Sequence, residues 1–84
     1  MKLYLNDEYG IDPLDVVGIF DMDSATTGDA TKGFLSHKEK SGDLILVTGD
    51  IPVSFLVERK GESNKVYLTR NAPKVLARRV KRGL

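Results

Sequence analysis

An apolar run at residues 16–20, followed closely by Asp21 and Asp23, restricts the fold more than any other stretch of the chain. Its β-branched and aromatic residues are typical of a packed strand, and the run is too short for an average helix. Ser24 belongs to a residue type that often caps helices by accepting backbone N–H groups. We therefore predict a buried strand that leads into a helix, with a bulge or a close backbone approach at Gly18.

Short alternating patterns predict two strands at the N-terminus. Residues 2–5 place Leu3 and Leu5 on one face, and residues 9–11 are expected to return as a second strand after a polar turn. Residues 12–15 should form a tight turn, because proline disfavours helix at the residue before it.

A helix is predicted over residues 25–40, although glycine weakens it at two positions. Phe34 and Leu35 should carry most of its docking, and Lys38 shares their side of the helix through its aliphatic stem. We expect the helix to end near Ser41, where the following glycine can take the left-handed cap.

The second half of the chain predicts three more strands. Residues 44–47 read as another buried strand, while 53–57 and 66–68 flank a polar loop at 60–64 and should form a β-hairpin. Together these elements predict one α+β domain over residues 1–84, with a mainly antiparallel sheet of four or five strands, one central helix and a basic C-terminal helix.

The C-terminal helix is predicted from its cap and its apolar spacing. Asn71 is expected to cap it, Pro73 falls in its first turn, and Val75, Leu76 and Val80 form its apolar side. Basic residues surround that apolar side, so the helix should expose a cationic surface.

Composition narrows the classes of protein that fit. The chain has 84 residues and no cysteine, so it lacks disulfides and thiolate metal sites. No apolar run approaches the roughly 20 residues that span a bilayer, and the N-terminus lacks the apolar core of a signal peptide. We expect a cytoplasmic protein without membrane insertion, and a small domain of this size is often stabilised by oligomerisation.

The net charge of +1 hides a strong asymmetry. Residues 1–57 hold four lysines against ten acidic residues, a net charge of −6, whereas residues 58–84 hold nine basic residues against two acids, a net charge of +7. Such polarity predicts either a cationic surface for an anionic partner or head-to-tail pairing of subunits.

Six basic residues near the C-terminus are the candidate nucleic-acid contacts: Arg70, Lys74, Arg78, Arg79, Lys81 and Arg82. Helical spacing joins four of them, at positions 74, 78, 81 and 82, into one basic stripe that could follow a phosphate backbone. Two other readings stay open. The residues could simply complement the helix C-terminus in solvent, or they could bind an acidic protein surface.

The order of these segments resembles the bacterial extracellular-matrix regulators RemA and RemB, and RemB more closely. The resemblance covers nearly the whole chain and is carried by the start that ends before residues 12–13, by residues 16–21, Phe34-Leu35, residues 52–57 and residues 65–68. It implies a cytoplasmic bacterial protein that regulates biofilm matrix genes. It also implies a homo-oligomer, which in RemA-type members is a closed ring that binds DNA. Assembly with a RemA-type protein stays open as an alternative to direct DNA binding.

The resemblance also implies where RemA-type members bind DNA. They carry an arginine just before the first buried strand and paired arginines before the strand at residues 53–57, whereas this chain has Asp15 at the first position and Ile51 and Pro52 at the second. We therefore expect any DNA contact to use the C-terminal basic residues instead.

Enzymatic readings are weaker than a binding function. The stretch at residues 20–23 resembles the nucleophile motif of haloacid-dehalogenase-like phosphatases, but the chain is too short for the repeated parallel strand and helix units of that class. His37 is the only histidine, and its neighbours at residues 38–40 are charged, which predicts a solvated side chain. We expect no catalytic residues, no cofactor and no metal.

Overall fold

The computed structural model describes residues 2–6, 8–25 and 28–83, and its architecture is α+β, as predicted. In chain order the elements are β1 (Leu3–Tyr4), β2 (Gly10–Ile11), a 3-10 helix (Pro13–Asp15), β3 (Val16–Asp21), α1 (Met22–Ala25), α2 (Asp29–Ser41), β4 (Leu44–Leu46), β5 (Ser54–Lys60), β6 (Ser63–Thr69) and α3 (Pro73–Gly83). No helix among these residues is long and apolar enough to cross a membrane.

The β5–β6 hairpin forms the centre of a four-stranded sheet with the order β3-β5-β6-β4. β3 pairs antiparallel with β5, and β4 pairs parallel with β6. The predicted hairpin is confirmed, but the predicted loop at 60–64 is wrong. Its ladder continues to the pair Lys60–Ser63, so only two residues form the turn.

β3 and β4 lie at the two edges of the sheet, so the prediction that both are buried strands is wrong. Val17 is 60 % exposed, Phe20 is 44 % exposed and Leu46 is 58 % exposed. The hairpin strands pair with each other and occupy both central positions, which leaves only the edges for the other two. The predicted bulge is confirmed, because the register of β3 against β5 shifts between Val16 and Gly18.

Helices and a β-ribbon cover the two faces of the sheet. On one face, α3 and the antiparallel β1–β2 ribbon bury a core that includes Leu3, Leu56 and Leu76. On the other face α2 packs through Phe34 and Leu35, as predicted. The alternation predicted for the first strand is also confirmed, since Leu3 and Leu5 are buried and Tyr4 is exposed.

The start of the first helix differs from the prediction. α1 begins at Met22, so Ser24 lies inside this helix and not before it. The Asp21 carboxylate, directly before the helix, accepts a hydrogen bond from the backbone N–H of Asp23 at 2.9 Å. A separate helix, α2, begins after Gly28 and has no side-chain cap. Thr26 and Thr27, also predicted to be helical, lie outside the described residues, as does Asp7 in the first polar turn.

The end of α2 is confirmed. Gly42 has a φ of 83°, which is the left-handed conformation, and its N–H bonds to carbonyls of the last helical turn. Lys38 holds this end to the sheet, because its Nζ donates to the Asn64 carbonyl at 3.0 Å and lies 3.9 Å from the Asp43 carboxylate. Lys38 therefore helps to dock α2, as predicted, and does so through polar contacts of its ammonium group.

Candidate nucleic-acid interface

The apolar side of α3 faces the core and its basic side faces solvent. Leu76 is completely buried, and Val80 packs against the same core cluster. Four cationic side chains on the remaining surface of the helix are exposed, those of Lys74, Arg78, Lys81 and Arg82. We call these four residues the basic stripe.

The basic stripe is a compact line of uncompensated charge. At about 1.5 Å of rise per residue, it extends about 12 Å along the helix axis. Among the described residues, the two ion pairs are Lys38–Asp43 and Lys60–Glu58, so no acidic side chain neutralises the stripe. An anion that approaches this surface therefore displaces no ion-pair partner among the described residues.

Arg70 and Arg79 do not belong to the stripe, although both were candidate contacts. The Nη1 atom of Arg79 donates to the Tyr4 carbonyl at 3.1 Å, which ties α3 to β1. The Nη1 atom of Arg70 donates to the Ile51 carbonyl at 2.9 Å, which holds the segment before β5. The structure therefore brings four of the six candidates together and gives the other two anchoring contacts.

A buried polar cluster holds the chain just before α3. The Ser54 hydroxyl donates to the Asn71 carbonyl at 2.7 Å and lies 2.8 Å from the Thr69 hydroxyl. The Asn71 side chain donates to the Leu5 carbonyl at 3.4 Å, while the Ala72 carbonyl accepts the first helical N–H groups. The prediction that Asn71 caps α3 is therefore wrong. The side-chain contact of Asn71 instead joins the helix start to β1.

Sequence reasoning missed these positioning residues. Ser54 and Thr69 are fully buried in the central hairpin, opposite each other in the ladder. The only signal in the sequence was a hydroxyl residue beside the apolar stretch of each strand, Ser54 before residues 55–57 and Thr69 after residues 66–68. That signal does not show that the Ser54 hydroxyl donates to the Asn71 carbonyl, because the two residues lie 17 positions apart in the chain.

The three positions that carry arginine in RemA-type proteins do not lie on α3. Asp15 ends the 3-10 helix directly before β3, and Ile51 is 80 % exposed in the segment between β4 and β5. Pro52 follows it and is half-buried. Arg70 places its guanidinium beside the Ile51 backbone, so a positive charge lies there although residue 51 is not basic.

A second buried polar pair lies on the face of the sheet that α3 covers. The Tyr67 hydroxyl donates to the Glu58 carboxylate at 2.8 Å, and both residues are nearly inaccessible to solvent. Burial, reinforced by the hydrogen bond to Glu58, raises the pKa of Tyr67 above its ordinary value. Tyr67 therefore packs in the core and offers no stacking surface for a nucleobase.

The chain has no match among protein-family models or among curated proteins. Its function is therefore inferred from its own residues and from the resemblance to the RemA and RemB regulators.

Proposed function

We propose that the protein binds duplex DNA through the basic stripe on α3 and acts as a RemB-like cytoplasmic regulator of biofilm matrix genes. In this proposal it works as a homo-oligomer, alone or with a RemA-type partner. The observation that carries the proposal is the exposure of Lys74, Arg78, Lys81 and Arg82 on one helix, without acidic partners among the described residues.

Phosphate recognition suits this surface better than base reading. Lysine and arginine neutralise phosphates and release counterions, and this term supplies most of the affinity in non-specific DNA binding. The buried side of α3 is fixed by Leu76 and by the anchor from Arg79, so the cations are presented on a rigid support. Such a surface positions the protein on DNA and gives little sequence preference by itself.

The test compares two charge-reversed variants that have the same net charge. Arg78→Glu with Lys81→Glu alters the basic stripe, and Lys32→Glu with Lys40→Glu alters two exposed lysines of α2. Fluorescence anisotropy with a labelled 20-base-pair duplex measures the affinity of each at low salt. We expect at least a tenfold loss for the stripe variant and a much smaller loss for the α2 variant, because only the former removes phosphate contacts.

Equal losses in the two variants would mean that net charge alone drives binding, and the proposed interface would be wrong. Circular dichroism and urea denaturation of both variants serve as the control for folding.

Self-assembly is the second candidate function, and one observation favours it. Neither ion pair of the described residues links the acidic part of the chain, residues 1–57, to the basic part, residues 58–84. Lys38–Asp43 lies within the first part and Lys60–Glu58 within the second. The opposite net charges of these two parts are thus not paired with each other there, and a neighbouring subunit can supply the pairing. Association that weakens with salt in the absence of DNA would support this alternative.

A further inference from the structure

α2 covers only part of its face of the sheet. It packs against β4 and β6, and the surface between α2 and the edge strand β3 stays open. A groove of about 360 Å³ occupies this place. Its floor is formed by Phe55 and Val57, and its walls by Val17 and Phe20 on one side and Phe34 on the other. The lining is mostly apolar, and a groove of this size can receive a large apolar side chain.

The wall formed by Phe20 is held in place by its neighbours. Its ring stacks on Phe55 with 5.0 Å between the ring centroids. It also lies over Gly18, where an added Cβ would come within 2.7 Å of the ring. Glycine at this position therefore allows the ring to fold along the strand, where 44 % of the residue stays exposed.

The outer edge of β3 adjoins this groove. β3 is six residues long, and among the described residues it has a strand partner only on the β5 side. An exposed edge presents alternate backbone N–H and C=O groups that can pair with another extended chain. Edge and groove together offer main-chain hydrogen bonds and a side-chain pocket, the combination used in recognition by strand addition.

The charge around this edge is acidic. Asp15 precedes β3, Asp21 ends it and Asp23 follows it, and residues 15–23 contain no lysine or arginine. None of these acids takes part in the ion pairs of the described residues, and the exposed Arg59 lies one strand further in, on β5. The edge thus favours a partner that carries positive charge at both ends of its extended segment.

We infer that the β3 edge and its groove bind an extended segment of another protein, with a large apolar side chain between flanking lysines or arginines. The groove lies on the α2 face of the sheet, and α3 packs against β3 on the opposite face. Neither the groove nor the β3 edge includes a residue of the basic stripe, so the inference does not depend on DNA binding. A second copy fits less well. Pairing two β3 edges would gather the acids of both copies, and β4 has Asp43 directly before it and no basic residue in its three positions.

The test uses a synthetic labelled peptide with two lysines at each end, alternating threonine and valine between them, and one central phenylalanine. Fluorescence anisotropy should show binding that weakens as salt is added. Asp21→Asn with Asp23→Asn should weaken it roughly threefold to tenfold, as expected for two exposed ion pairs. Asparagine keeps the oxygen that caps α1, so folding should be preserved. Glu8→Gln with Glu39→Gln is the control with the same charge change elsewhere.

Hydrogen exchange by NMR gives a second readout, because strand addition should slow exchange of amides in β3, whereas a purely electrostatic contact should not. Three outcomes would overturn the inference. The first is no binding at millimolar peptide, and the second is equal binding of a peptide with glutamates at its ends. The third is a doubling of the protein's mass that Val17→Lys abolishes, because a second copy would then occupy the edge.

Discussion

At the scale of single residues, the most consequential contact is the one between Tyr67 and Glu58 inside the sheet. Glu58 is only 2 % exposed, and the Tyr67 hydroxyl is its hydrogen-bond donor, with Lys60 3.9 Å from its other oxygen. A buried carboxylate is tolerated only where it keeps such partners. The pair therefore stabilises the hairpin only while both members are present.

Tyr67→Phe should lower the free energy of unfolding at pH 7 by about 1–3 kcal/mol, because it leaves a buried acceptor without its donor. Urea denaturation measures this loss. Tyr4→Phe is the matched control, since Tyr4 is 57 % exposed and its replacement should change stability by less than about 0.5 kcal/mol. A loss of equal size in both variants would contradict the account of the pair.

The raised pKa of Tyr67 predicts how stability depends on pH. The folded state favours the protonated phenol, so this contribution is fully present below the ordinary tyrosine pKa of about 10 and is lost as the pH rises from there towards the higher pKa of the folded state. Stability should thus fall above about pH 10. The fall should be smaller in Tyr67→Phe and unchanged in Tyr4→Phe, as chemical denaturation across this range can show.

At the scale of elements, α3 carries two separate duties on its two sides. Leu76 is fully buried, so Leu76→Ala should lower the free energy of unfolding by about 2–5 kcal/mol. Arg78→Ala in the same helix is exposed and should change stability by less than about 0.5 kcal/mol, while it weakens DNA binding. Urea denaturation and anisotropy of both variants separate the two duties. A large loss of stability in Arg78→Ala would mean that the stripe is structural.

Much of this architecture could be predicted because the signals are local. The alternation around Leu3, the glycine that ends α2, and the apolar spacing of Leu76 and Val80 each depend on a few neighbouring residues. The same spacing identified the four residues of the basic stripe and their exposure.

The order of strands could not be predicted in this way. An apolar run shows that a strand can pack, but not whether it lies at the centre or at the edge, since this depends on which strands from distant parts of the chain pair with it. The anchoring roles of Arg70 and Arg79 were hidden for the same reason. Their acceptors lie 19 and 75 residues away in the chain.

At the scale of the whole molecule, the stripe is short compared with the protein. It extends about 12 Å along α3, whereas the longest dimension of the structure is 34 Å. One subunit can therefore contact only a few phosphates, and four cations give a slope of about −3.6 for the logarithm of affinity against the logarithm of salt concentration. A steeper slope would mean that several subunits bind together, as expected for an oligomer.

The most direct test of the central claim measures duplex DNA binding by fluorescence anisotropy across a salt series, with the mass determined by light scattering in the same buffers. We expect a slope of about −3 to −4 for each bound subunit and a slope shallower by about 1 in Arg78→Ala, with a mass that stays constant while binding weakens. No binding at low salt by an intact, folded protein would contradict the claim and leave self-assembly or a protein partner as its role.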